Sequence, residues 1–175
     1  VNFAYNNLLR IMENVKNPPV ITGPQDGRTI SVVGDTYRIL ISGKETGGAF
    51  ATIDMLIPPG GGPGPHAHPG FHESFYVIDG EIEVRSEAGN YTAGKGSFVL
   101  IPEGGVVHCF HNKTDRVAHL LCTVAPSGLE EFFMEIGTPV AFGDFAAPPD
   151  MEALKKIFPI AEKYGQKLFP PDYLG

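Results

Sequence analysis

The chain has 175 residues, the length of one domain, and its formal net charge is −7. Its 13 lysines and arginines never run longer than Lys155-Lys156, which argues against a nucleic-acid partner. The 22 glycines and 16 prolines exclude a helical bundle, and 42% apolar residues exclude disorder, so a turn-rich all-β protein is expected.

Residues 1–16 carry Leu8, Leu9, Ile11, Met12 and Val15 at helical spacing, and Asn17-Pro18-Pro19 ends that short helix. Strands are then predicted over Thr29–Val33, Tyr37–Ser42, Phe50–Ile57, Glu73–Ile78, Glu81–Ser86, Ser97–Ile101, Val106–His111 and Arg116–Val124. Asp79-Gly80 is a two-residue signal for a hairpin. Cys109 and Cys122 lie in β-branched or aromatic runs without metal-binding spacing. They read as buried thiols, with a single bridge as the alternative. Beyond Pro126 the period changes. Gly128–Gly137 reads as a short helix, and Asp150 is placed to cap another whose stripe is Met151, Leu154, Ile157, Phe158 and Ala161. Pro159 should kink or split it. That stripe must bury, either on the outside of the β-structure or as a lid. No linker separates a second domain, and 1–175 is taken as one unit with a β-region of about 29–125 and a helical tail of about 128–175. No run approaches the ~20 apolar residues of a membrane span and no signal-peptide pattern is seen, so a cytoplasmic protein without a membrane partner is expected.

Five of the six histidines fall between 66 and 111. His66 and His68 are two apart, so on extended chain they share a face. Glu73 shares a strand face with Phe75 and Val77, and His108 shares one with Phe110. Three imidazoles and one carboxylate can meet on the inner wall, a ligand set for one divalent first-row metal: Fe, Mn, Ni, Co or Zn. His72 alternates to the opposite face, and His111 and His119 read as surface or edge residues.

This pattern resembles the cupin superfamily. Its first motif runs Gly60, His66-Ala67-His68, Glu73, Gly80, and its second runs Gly96, Pro102, His108, Asn112 with one extra residue at Gly104-Gly105. The resemblance implies a double-stranded β-helix, the cupin jelly-roll barrel, flanked by short N- and C-terminal helices. It also implies His66, His68, Glu73 and His108 as metal ligands, and a homodimer formed through the outer sheet and residues from 1–50. The tail is similar to that of small bacterial quercetinase-like cupins. The expected activity is therefore a metal-dependent oxygenase (a dioxygenase) acting on a small enol or aromatic substrate. Glu73 would be the catalytic base, and Phe75, Val77, Phe98 and Phe110, with Tyr76 beside them, would form the pocket wall. A metal-dependent isomerase or decarboxylase, or a small-molecule binding module without turnover, are the alternatives.

Overall fold

The computed structural model describes residues 18–175, so the helix expected at 1–16 lies outside the described residues. Twelve strands are described: β1 (Arg28–Val32), β2 (Asp35–Ile41), β3 (Ala51–Ile57), β4 (His66–Ala67), β5 (His72–Asp79), β6 (Glu81–Ser86), β7 (Gly89–Gly94), β8 (Phe98–Ile101), β9 (His108–His111), β10 (Ala118–Ala125), β11 (Thr138–Pro139) and β12 (Lys167–Leu168). Three helices accompany them: α1 (Gly43–Thr46), α2 (Leu129–Ile136) and α3 (Met151–Lys163).

The strands form two antiparallel sheets, ordered β11-β1-β2-β3-β10-β5-β8 and β12-β4-β9-β6-β7. The sheets pack face to face as a jelly roll. Alternation decides what lies between them: Ile53, Met55 and Ile57 of β3, Leu120, Cys122 and Val124 of β10, Phe75 and Val77 of β5, and Ile82 and Val84 of β6 are all buried. Phe75 and Phe110 meet edge-on across the gap, with ring centroids 5.1 Å apart.

Three local expectations change. Gly80 does take a positive φ of 78°, but β5 and β6 belong to different sheets, so Asp79-Gly80 carries the chain across the sandwich rather than closing a hairpin. Val33 leaves its predicted strand. With Gly34 it forms the two-residue β1–β2 turn, both at positive φ (53° and 102°), the geometry that matches the twist of paired strands. Finally, α3 runs through Pro159 without splitting. The carbonyl that loses its partner belongs to Lys155 on the exposed side, where water can replace the missing amide.

Helix α2 starts after Gly128 and ends at Gly137. It lays Phe132 and Phe133 on the core, with Phe133 edge-on to Tyr37 at 4.9 Å. Helix α3, capped by Asp150 through the amide of Ala153 at 2.8 Å, packs along α2, where Phe132 approaches Tyr164 and Lys163 pairs with Glu135. Of its predicted stripe only Ala161 is fully buried there. Ala161 is inaccessible and Ile157 is partly covered, whereas Met151 and Phe158 remain exposed. The chain then adds β12 to the edge of β4, the strand that carries His66. No described helix is long and apolar enough to cross a membrane.

Candidate metal centre

The loop 58–65 delivers His66, and its course is fixed by close packing. Asn112 at the end of β9 donates its amide to the carbonyls of Ile57 (2.8 Å) and Arg116 (2.6 Å). Its backbone exchanges bonds with the loop: Gly60 N–H donates to Asn112 O at 2.8 Å, and Asn112 N–H to Gly61 O at 3.0 Å. Gly60 and Asn112, one from each motif, are therefore bonded to each other. Gly62 is required twice over. Its φ is +119°, and a Cβ there would lie 2.1 Å from the Phe110 carbonyl oxygen.

His66, His68, Glu73 and His108 converge, their ligand atoms all within 4.8 Å of one another and all four residues buried. The extra residue at Gly104-Gly105 is taken up in the loop, where Gly104 N–H donates to Pro69 O, and His108 still faces the cluster. Each imidazole turns Nδ1 to a backbone carbonyl: His66 to Gly64 (3.0 Å), His68 to Phe71 (3.3 Å) and His108 to Val106 (3.0 Å). A carbonyl only accepts, so each Nδ1 carries the hydrogen and each Nε2 presents a lone pair to the centre. The Nε2 atoms of His68 and His108 stand 3.2 Å apart, and Glu73 Oε2 lies 3.1 Å from one and 3.5 Å from the other. Three lone pairs and a carboxylate pointing at one buried spot repel each other unless a proton or a metal cation joins them. The donor set fits a divalent transition metal.

The electrostatics agree. Burial drives the His66 imidazole down to about 4, with the neighbouring His108 adding to the effect, so this ring stays neutral. Burial would push the Glu73 carboxyl up, but hydrogen bonds with His108 and His68 outweigh it and hold the group well below the usual carboxylate range. His68 is raised because its bond to Glu73 overcomes burial, so protons and metal compete for the same Nε2. Sequence reasoning missed the surrounding groups. Phe71 stacks on His68 at 4.2 Å with planes 10° apart, and the Cys122 thiol donates to Glu73 Oε1 at 3.5 Å. Both cysteines are free and buried. Farther along the core, Tyr37 donates to Asp35 Oδ2 at 3.2 Å while Gly62 N–H donates to Asp35 Oδ1 at 3.2 Å, tying β2 to the loop that delivers His66.

Phe75, Val77 and Phe110 are buried between the sheets, whereas Phe98 is 66% exposed and is a correction to the expected wall. It pairs with the outward Tyr76, and its neighbour Val99, opposite Phe75, takes the inner face. His72 faces out, accepting from the Glu103 amide, and His119 pairs with Asp54 on the outer face of the large sheet.

The fold is a jelly roll with a buried donor set that could hold one metal ion, and residues 53–124 match the cupin domain family. That match and the fold support cupin superfamily membership. The chain is 27% identical over 128 residues to quercetin 2,3-dioxygenase of Aspergillus japonicus, covering 69% of this chain and 36% of that one. It is 22% identical over 153 residues to quercetin 2,3-dioxygenase of Bacillus subtilis (strain 168), covering 87% and 45%. The chain thus spans less than half the length of these relatives. Among solved structures, ectoine synthase from P. lautus superposes with a TM-score of 0.55 at 20% identity, over 76% of this chain and 94% of that one.

Proposed function

We propose that this cupin is a metal-dependent dioxygenase of quercetinase type, acting on a small enol or aromatic substrate with adjacent oxygens. The carrying observation is the buried convergence of three Nε2 lone pairs on the Glu73 carboxylate. Similarity to two quercetin dioxygenases supports the choice of reaction. When bound by His66, His68, Glu73 and His108, the metal would supply Lewis acidity and a site for oxygen. One carboxylate against a dication leaves a net positive centre, which favours an anionic chelating ligand.

The residues of the chain do the remaining work. Glu73 is held ionised, and its Oε atoms can accept a substrate proton. Phe75, Val77 and Phe110 line the apolar interior beside the cluster and exclude water, and Phe71 fixes the His68 plane. The test is oxygen uptake by metal-loaded protein given quercetin and a panel of enols and diketones. Stoichiometric oxygen consumption with ring or chain cleavage supports the reading. Product formed without oxygen, or tight binding with no product, overturns it in favour of non-oxidative chemistry or a binding module.

A further inference from the structure

The polypeptide leaves α3 through a Schellman turn. Gly165 takes φ 75° and donates to Glu162 O, and Gln166 N–H donates to Ala161 O, each at 3.0 Å. The residue in the position of Gln166 ordinarily contributes an apolar contact to the helix it has just left, and Ala161 opposite is fully buried. Here the position holds a glutamine that is only 5% exposed, and its Nε2 has no hydrogen-bond partner among the described residues. A buried amide donor without an acceptor is costly, so such a group points to something it is meant to meet.

Strand register says what that is. In the β12–β4 pair, Lys167 lies opposite Ala67 and Leu168 opposite His66. Lys167 is exposed, while Leu168 packs against the core on the face shared with the His66 imidazole. Alternation puts Gln166 on that same inner face, and one more step of the register brings it level with His68. The segment is well anchored beyond this point: Phe169 N–H donates to Pro65 O at 2.9 Å, Tyr173 Oη to Glu87, and Arg85 donates to the carbonyls of Leu174 and Gly175.

We propose that Gln166 is a specificity-determining residue of the metal centre, its amide N–H donating to an oxygen of the small chelating molecule held there. This rests on the reading of His66, His68, Glu73 and His108 as the metal site. A neutral donor suits an oxygen whose charge the metal already offsets, and it discriminates against ligands with no acceptor at that point. The C-terminal strand is then part of the binding site as well as a cover for the β4 edge.

The experiment compares wild type with Gln166→Leu and, as a packing-matched second variant, Gln166→Met. Metal content is measured first, then the affinity of the metal-loaded proteins for quercetin under nitrogen, then the thermal midpoint without quercetin. The expected result is unchanged metal content, a midpoint equal to or above wild type because the unpaired donor is gone, and quercetin binding weakened roughly five- to ten-fold. Equal affinity in wild type and either folded variant overturns the proposal alone. So does a fall in midpoint in both variants, since the amide would then be structural. A wild type that takes up metal but no quercetin overturns the proposal together with the substrate reading, and one that takes up no metal overturns it together with the metal-site reading.

Discussion

Nε2 of His68 faces Nε2 of His108 at 3.2 Å, and the Nδ1 atom of each ring is already committed to a carbonyl, Phe71 for the first and Val106 for the second. Neither ring can satisfy the other in its neutral form. The fold has spent packing on holding two acceptors against each other inside a dry core, an arrangement that a bound cation turns from a cost into an affinity.

That loop geometry makes Gly62 a sensitive position. Gly62→Ala places a methyl against the Phe110 carbonyl at a φ that L-residues avoid. The expected loss is about 2 kcal/mol or more in chemical denaturation, with reduced metal affinity because His66 is displaced. An unchanged midpoint and unchanged metal affinity would show that the loop is free to adapt.

Asp35 sets a pH dependence. Burial lifts its carboxyl to about 7, against the bonds from Tyr37 and Gly62 that pull it down. The folded state therefore holds a proton that the unfolded chain, near 3.9, has released. Stability is greatest below the unfolded value and declines as pH rises from about 4 to about 7, by an amount of order 4 kcal/mol at most. Asp35→Asn should remove that slope. Denaturation of both proteins at several pH values, read as a difference, checks it; parallel curves would contradict it.

The β1–β2 turn carries avoidable strain. Val33 is β-branched at φ 53° and 41% exposed, a place where asparagine is at ease. Val33→Asn should raise stability by about 1 kcal/mol and leave metal uptake unchanged. A loss of stability would show that Val33 contributes packing not evident from its exposure.

Tyr76, Phe98 and Leu100 form an exposed apolar band at the β5–β8 edge of the large sheet. We propose that a second copy covers it, as the cupin resemblance implies. Sedimentation should give a dimer at micromolar concentration and a monomer for Leu100→Glu. A wild-type monomer would sink the proposal.

Much of this was readable beforehand because strand alternation and motif spacing are local signals. Eight of the twelve described strands and the convergence of His66 and His108, 42 residues apart in sequence, came from those alone. What escaped was decided by partners. β7 is Gly-Asn-Tyr-Thr-Ala-Gly, mostly exposed, and is a strand because β6 pairs with it. β12 exists because β4 offers an open edge, and no property of Lys167-Leu168 announces that. Phe98 was expected on the inner wall, but Val99 stands opposite Phe75 and takes that face, and adjacent residues of a strand point to opposite sides. Met151 and Phe158 kept the helical stripe but not the burial: Met151 lies in the first turn, and Phe158 is one position round the helix from the covered Ile157 and Ala161.

Whether His66, His68, Glu73 and His108 hold a metal is decided by the metal content of dialysed protein after loading with one divalent ion at a time, beside His68→Ala and Glu73→Gln. One equivalent per chain is expected for wild type and none for His68→Ala, with Glu73→Gln much weakened and all three folded. Ion at a thousand times its dissociation constant should stabilise wild type by about 4 kcal/mol and the His68→Ala protein not at all. A wild type that retains no metal, or a His68→Ala protein that retains a full equivalent, would contradict the account.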